Sequence, residues 1–177
     1  MLKTILVATD GSAHAVKAVA LACDLGAKYG SRLIVVHVRL WNANANTLRN
    51  LADRRALSKS AKELLDTYEA EYHLEMARAG VPTSFSSVPA PRELVDAVGG
   101  HIIKRAERAA AKAGVKTVSG VLADGDPADV VLGIAAREKA DLIVLGSRGL
   151  SDLAGLFLGS VSHKVSARAD CACLTVK

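Results

Sequence analysis

Glycine and serine residues near the end of the chain have a spacing that suits phosphate binding. Gly146-Ser147-Arg148-Gly149 is followed by nine residues and then by Gly159-Ser160. Glycine lets the main chain approach a ligand closely, and the free N–H groups at the start of a helix attract anions. A predicted buried strand, Asp141 to Leu145, leads into this segment, and a helix is predicted to begin at Ser160. The segment is typical of a phosphate cradle and makes nucleotide binding the leading hypothesis.

A second candidate group, Thr9-Asp10-Gly11-Ser12, follows the first apolar run of the chain. Asp10 is suited to accept hydrogen bonds from ribose hydroxyls. The alternative is structural, because Asp10 can begin an Asx-type turn before Ser12 and the glycines can simply shape turns. Each feature taken alone favours the structural alternative. Together, in a chain of alternating strands and helices, they favour a ligand.

Two familiar phosphate-binding motifs are absent from the sequence. It has no Gly-x-x-x-x-Gly-Lys-Ser/Thr run and no Gly-x-Gly-x-x-Gly run. Neither a P-loop nor a dinucleotide fingerprint is therefore supported.

Short apolar runs alternate with helical patterns along the chain. The five predicted strands are Ile5 to Ala8, Leu33 to Val38, Lys116 to Leu122, Asp141 to Leu145 and Ala172 to Val176. One predicted helix follows Ser12 and ends at Gly30. Another follows Asp126-Pro127, which supplies an N-cap and a first-turn proline. This order predicts an open α/β sheet that binds ligands at the carboxyl ends of its strands.

Helical stripes indicate which residues of the helices are buried. The first helix has Val16, Val19, Ala20, Cys23 and Ala27; the middle segment has Leu57, Ala61, Leu64, Tyr68, Tyr72 and Met76; the next helix, about Pro91 to Gly114, has Val95, Val98, Ile102, Ala106, Ala109 and Ala113. Such stripes more often pack into a core than bind a partner. Gly80 to Pro91 is predicted to be a loop, and Gly99-Gly100 weakens the early part of the helix that follows.

Composition narrows the class of protein. Of 177 residues, 50% are hydrophobic and 3% aromatic, which suits one domain with an aliphatic core. No apolar run reaches the roughly 18 residues of a membrane helix, and the N-terminus lacks a signal-peptide pattern, so a cytoplasmic protein without a membrane span is expected. The net charge of +5 comes from scattered basic residues, which makes nucleic acid an unlikely partner.

The three cysteines do not form a recognisable disulfide framework or metal motif. Cys171 and Cys173 are separated by one residue, and Cys23 lies far away in the sequence. Packing on one face of the last strand is the favoured interpretation, and a metal or redox role is the alternative.

These motifs together resemble the universal stress protein family. The resemblance covers the chain except roughly residues 41 to 90. It lies in the following segments: Ile5 to Ser12, His37-Val38, Gly125-Asp126-Pro127-Ala128, Asp141 to Gly149, Leu158-Gly159-Ser160-Val161 and Cys171 to Val176. The glycine spacing marks the family's ATP-binding branch.

The resemblance implies a fold and a set of ligands. The fold is a five-stranded parallel sheet in the order 3-2-1-4-5 with helices on both faces, of the adenine nucleotide alpha hydrolase-like type. The ligand is ATP or AMP, with Mg²⁺ as a possible bridge between phosphates, and the assembly is a homodimer. No protein carboxylate cluster identifies metal ligands, and no catalytic residue is assigned.

The resemblance also implies a set of nucleotide-binding residues. Ala8, Thr9 and Val38 would border the adenine, and Asp10 would bind the ribose or adenine-side groups. The ribose and phosphates would be surrounded by Gly146, Arg148, Gly149, Gly159, Ser160, Val161 and Ser162.

The chain departs from the family mainly in length. The segment at about 41–91 is longer than the second crossover of this fold needs, so we interpret the chain as one domain, 1–177, with a helical insertion. A nucleotide-binding regulator with an unknown protein partner is the favoured function. A slow ATPase or phosphotransferase, for which Arg148, His163 and Lys164 are candidates, and a nucleic-acid-binding module are the alternatives.

Overall fold

The computed structural model describes residues 2–41, 43–52, 57–79, 90–150 and 159–177. They fall into two compact units, Met1–Val38 with Ile102–Lys177 and Arg39–His101. The loop predicted at Gly80 to Pro91 lies outside the described residues, apart from its last two positions. The expectation of one domain with an insertion at about 41–91 stays a prediction.

Helices and strands alternate in the first unit as predicted. In chain order the elements are β1 (Thr4–Ala8), α1 (Ala13–Tyr29), β2 (Arg32–Val38), α2 (Ala45–Leu51), α3 (Lys59–Ala79), α4 (Arg92–Ala113), β3 (Val118–Ala123), α5 (Pro127–Arg137), β4 (Leu142–Gly146), α6 (Ser160–Arg168) and β5 (Ala172–Val176). The strands form one sheet in the order β3-β2-β1-β4-β5, and every pair is parallel. The predicted fold class and strand order are confirmed.

Each face of the sheet carries its own apolar cluster. Successive strand residues point to opposite faces, so Ile5 and Val7 belong to one cluster and Leu6 to the other. Helix α1 and the second half of α4 cover the first face, and α5 and α6 cover the second. The three central strands, β1, β2 and β4, are thus buried on both sides, which explains why they read as nearly continuous aliphatic runs.

Local signals set the helix boundaries. The Ser12 side chain accepts a hydrogen bond from the Ala15 amide at the start of α1, and Gly30 ends that helix with a φ of 65°. The Asp126 side chain caps α5 ahead of Pro127. All of these boundaries were predicted, because each depends on residues within one helical turn.

The second unit contains α2, α3 and the beginning of α4. Helix α2 was not predicted, whereas α3 matches the helical pattern of the middle segment. Tyr68 and Tyr72 are fully buried on α3, their ring centroids are 6.3 Å apart, and the Tyr68 hydroxyl donates to the Ala43 carbonyl. Helix α4 continues through Gly99-Gly100 without interruption, since its buried stripe outweighs the low helix propensity of glycine.

Four predictions of buried helix positions were wrong. Leu65 is buried on α3 rather than Leu64, and Ala110 on α4 rather than Ala109. On α1, Val16 is 42% exposed and Ala20 is also exposed. A helical stripe defines a face about 100° wide, and contacts with the rest of the fold decide which residues at its margins are covered.

One cysteine, Cys23, is buried, and the other two, Cys171 and Cys173, are partly buried. Cys23 on α1 is only 2% exposed, and burial raises the pKa of its thiol to about 11. Cys171 and Cys173 both pack against the apolar cluster of α5 and α6, as predicted for one strand face. Within the described ranges, no helix combines the length and hydropathy that crossing a bilayer requires.

Candidate functional site

The candidate residues of the first unit lie at the edge of the sheet where the carboxyl ends of the parallel strands meet. Ala8, Val38 and Gly146 are the last residues of β1, β2 and β4, which are neighbours in the sheet. From β1 the chain crosses through α1 to β2 on one side, while β4 lies on the other side. This is the switch point at which open α/β sheets bind ligands.

Asp10 joins the loops that follow β1 and β4. Its Oδ1 accepts a hydrogen bond from the Ser12 amide at 2.9 Å, which is the Asx-type turn considered above. Its Oδ2 accepts one from the Leu150 amide at 3.0 Å, across 140 positions of sequence. The structural interpretation of Asp10 is therefore confirmed. It is compatible with a ligand, because each carboxylate oxygen can accept more than one hydrogen bond.

Gly149 and Gly146 are needed for contacts within the protein. A Cβ at Gly149 would lie 2.6 Å from Oδ2 of Asp10. A Cβ at Gly146 would lie 2.8 Å from the main-chain nitrogen of Ala15, at the start of α1. Gly146 thus permits close packing of β4 against α1, and Gly149 permits the approach of the Asp10 carboxylate.

The start of α6 is held against the loop after β4. The Gly159 amide donates to the Ser147 carbonyl at 2.7 Å. The hydroxyl of Ser162, which is buried, lies 3.1 Å from the same carbonyl and 2.9 Å from that of Gly159. Ser162 therefore uses its single hydroxyl hydrogen within the protein.

Gly159 occupies the N-cap position of α6, and no side chain of the described residues caps this helix. Ser160 is exposed and Val161 is partly exposed, so the first two residues of the helix are accessible to solvent. Arg148 in the neighbouring loop is also partly exposed. A helix start of this kind offers main-chain N–H groups and a positive partial charge to an anion.

His37 is a residue of this edge that the sequence analysis named only as part of the family resemblance and gave no role in the site. It is 1% exposed, and its Nδ1 lies 2.7 Å from the carbonyl oxygen of Thr9. The Thr9 amide in turn donates to the Val36 carbonyl. The signal in the sequence that could have drawn attention to His37 is a polar residue within the aliphatic run from Leu33 to Val38.

Comparison with known proteins decides the family. The model of the universal stress protein family matches residues 1–177. A universal stress protein of Thermus aquaticus is 36% identical over 181 residues, with 100% of both chains covered. The chain belongs to the universal stress protein family.

Solved structures of universal stress proteins share the fold. One, in complex with cAMP, has a TM-score of 0.59 and 23% identity over 99% of this chain and 96% of that chain. Another, from Archaeoglobus fulgidus in complex with dAMP, has a TM-score of 0.58 and 16% identity over 100% of this chain and 98% of that chain. At these identities the likeness concerns the architecture of the sheet and its helices.

Lys164 of this universal stress protein points to α5. Its ammonium nitrogen lies 3.4 Å from Oδ2 of Asp126, and Arg168 pairs with Asp129 at 2.7 Å. The pKa of the Asp126 carboxyl is lowered by hydrogen bonds from the Asp129 and Ala128 amides and by Lys164. Lys164 thus helps to hold α6 beside the start of α5.

The described residues contain no set of side chains that could ligate a metal ion. No three His, Cys, Asp or Glu side chains there cluster closely enough to hold an ion. The main-chain N–H groups at the start of α6 carry a positive partial charge, which suits an anionic group.

Proposed function

We propose that this universal stress protein binds an adenine nucleotide at the edge formed by β1, β2, β4 and the start of α6. The observation that carries the proposal is the start of α6. Its N-cap is a glycine without a capping side chain, and hydrogen bonds hold it against the loop after β4. Main-chain donors fixed in this way are suited to phosphate oxygens.

The residues divide between the two ends of such a ligand. The adenine would lie near Ala8, Thr9 and Val38, and Asp10 would accept from the ribose hydroxyls. The phosphates would take donors from the segments around Arg148-Gly149 and Gly159 to Ser162, with Gly146 supporting the loop from beneath. The complexes of family members with cAMP and dAMP support an adenine-containing ligand.

The ligand is ATP or AMP in this proposal. Mg²⁺ would arrive with the phosphates of ATP, because the described residues offer no separate cluster of carboxylates for it. The phosphate-binding donors belong to the main chain and need no metal to be in place.

We propose a regulator that works by binding, in preference to an enzyme. Efficient phosphoryl transfer requires cationic clamps and an oriented nucleophile. Lys164, the lysine nearest to the cradle in sequence, is paired with Asp126 at the start of α5. A homodimer, a protein partner that recognises the bound state, and a cytoplasmic location complete the proposal.

Calorimetry with ATP, AMP and cAMP tests the ligand. We expect saturable binding to the wild type and its loss in Gly159→Val, because the larger side chain would crowd the first turn of α6. Gly133→Val is the matched control, since Gly133 lies on α5 with no atom within 4 Å of its added Cβ. Equal affinity in the two variants would place the ligand elsewhere.

The wild type incubated with ATP and Mg²⁺ distinguishes the regulator from the enzyme. We expect no multiple turnover on the time scale of minutes. Sustained turnover that disappears in Arg148→Ala or Lys164→Ala would establish the slow ATPase or phosphotransferase instead.

A further inference from the structure

We infer that His37 is a positioning residue for Asp10 and, through it, for the candidate nucleotide site. The inference starts from the hydrogen bond between Nδ1 of His37 and the Thr9 carbonyl oxygen, at 2.7 Å. A carbonyl oxygen only accepts, so Nδ1 carries the hydrogen. This holds for the imidazolium ion and for one of the two neutral tautomers, and it excludes the other tautomer.

The bond fixes the peptide unit that leads into Asp10. The Thr9 amide donates to the Val36 carbonyl of β2 at 2.9 Å, and its side-chain oxygen accepts from the Gly11 amide at 3.2 Å. With His37 as donor, the N–H, the C=O and the hydroxyl oxygen of Thr9 are all engaged. The direction in which the chain leaves Thr9 is therefore determined by β2.

Asp10 passes this restraint to the loop after β4. Its two carboxylate oxygens accept from the Ser12 and Leu150 amides, at 2.9 and 3.0 Å. A rotation of the Thr9–Asp10 peptide would move the carboxylate away from both donors. The hydrogen bonds of His37 to Thr9 and of Leu150 to Asp10, joined by the Thr9–Asp10 peptide bond, thus connect β2 to the glycine loop.

The position of His37 explains how a buried ring can do this. Alternation along β2 puts it on the same face as Leu33 and Val35, and every other residue of the strand after Arg32 is aliphatic. It is 1% exposed, so water does not compete for the Thr9 carbonyl at this side. If this position needed only a side chain that fills space, leucine or valine would be sufficient.

Three substitutions separate the role of Nδ1 from that of the ring as a whole. His37→Asn keeps a donor at the position of Nδ1, His37→Gln offers its amide at the position of Nε2, and His37→Leu keeps only bulk. The readout is amide hydrogen exchange at Ser12 and Leu150, with Val144 in the core of β4 as internal reference. This measurement needs no nucleotide.

The inference predicts at least roughly tenfold faster exchange at Ser12 and Leu150 in His37→Leu and His37→Gln, relative to Val144. In His37→Asn the exchange stays within about threefold of the wild type. In the wild type, ¹⁵N spectra of the imidazole show Nδ1 protonated. Unchanged exchange in His37→Leu, or protection kept in His37→Gln but lost in His37→Asn, would overturn the inference.

The consequence for affinity rests on the proposed function. We expect nucleotide binding about tenfold weaker in His37→Leu and His37→Gln, and close to normal in His37→Asn. A wild type that binds no adenine nucleotide would refute the proposed function, and the exchange experiment would still decide whether His37 positions Asp10. If His37→Leu fails to fold, the contrast between His37→Asn and His37→Gln decides it.

Discussion

Helices α5 and α6 begin at the same edge of the sheet and begin differently. At α5 the Asp126 carboxylate accepts hydrogen bonds from the Ala128 and Asp129 amides at 2.9 and 3.2 Å, and Pro127 removes one further donor. At α6 the N-cap is Gly159, and in the part of the chain that the structure describes no side chain accepts from the first-turn amides. The first-turn N–H groups of α5 are bound by its own cap, whereas those of α6 have no such cap among the described residues.

The difference shows that a helix dipole alone does not make an anion site. Both helices have the same partial charge at their N-termini. Only α6 combines an uncapped start with a glycine-containing loop held beside it through Ser147. Each substitution below makes one helix start more like the other, or loosens a part of the arrangement.

Gly159→Asp should have the largest effect, since it gives α6 a cap like that of α5. The new carboxylate would accept from the first-turn amides and repel phosphate, so nucleotide affinity should fall by at least about a hundredfold, or ~2.7 kcal/mol. The free energy of unfolding should change by less than about 1 kcal/mol, because the cap offsets a tight contact of the new Cβ with the Ser147 carbonyl, at 3.3 Å. Calorimetry and urea unfolding measure the two quantities.

Gly159→Asn is the control for charge in that experiment. It offers a neutral cap of the same shape and should cost about tenfold in affinity. Nucleotide binding by Gly159→Asp at wild-type strength would mean that the start of α6 does not contact the phosphates.

Gly149→Ala should weaken nucleotide binding by about tenfold. The added Cβ would lie 2.6 Å from Oδ2 of Asp10, so the carboxylate must move and its bond to the Leu150 amide weakens. The free energy of unfolding should fall by about 1 kcal/mol, the value of one hydrogen bond. Titration with nucleotide and chemical denaturation of the same preparation provide the test.

Gly146→Ala is the comparison for Gly149→Ala, because it adds the same methyl group close by in the sequence but next to α1. Its Cβ would meet the main chain of α1 at 2.8 Å, and the cost should fall mainly on stability, at about 1–3 kcal/mol. If Gly149→Ala instead lost stability without losing affinity, Asp10 would have only its structural role.

Ser162→Ala should have a smaller effect on both properties. The buried hydroxyl that binds the Ser147 and Gly159 carbonyls is lost, which should lower the free energy of unfolding by about 1 kcal/mol. Affinity should fall only about threefold, because the Gly159 amide still holds the helix start to the loop. Ser166→Ala, on an exposed position of the same helix, is the comparison.

Asp126→Ala should leave nucleotide affinity unchanged while lowering stability. The pKa of Asp126 is lowered in the folded state, chiefly by the Asp129 amide, so its contribution is fully present above the ordinary value of 3.8. The contribution is lost as the pH falls through the lowered pKa. The difference in urea midpoint between wild type and Asp126→Ala should therefore be largest near neutral pH and vanish in strong acid, and a constant difference would contradict this.

The sequence predicted the elements whose signals are local. Ser12, Gly30 and Asp126-Pro127 marked helix ends because a cap depends on neighbours within one turn. The strand order required the family resemblance, since pairing of β1 with β4 joins residues more than a hundred positions apart. Helix α2 escaped prediction because its seven residues are too short to show a clear period.

The candidate site was predicted in its residues but not in its contacts. The glycine spacing indicated a phosphate cradle. In the structure, Gly146 is needed for close packing against α1, and Gly149 is needed for the approach of the Asp10 carboxylate. The bond from Leu150 to Asp10 and the one from His37 to Thr9 depend on which strands become neighbours. Side-chain periodicity carries no information of that kind.

The buried thiol of Cys23 makes the protein its own reporter of opening. With a pKa of about 11 and only 2% exposure, this sulfur is protonated and shielded at neutral pH, so alkylating reagents reach it only when α1 separates from the sheet. Helix α1 starts beside Asp10 and packs beneath Gly146. The rate of Cys23 alkylation, measured by mass spectrometry with and without a nucleotide, would therefore show whether the nucleotide slows the separation of α1 from the sheet.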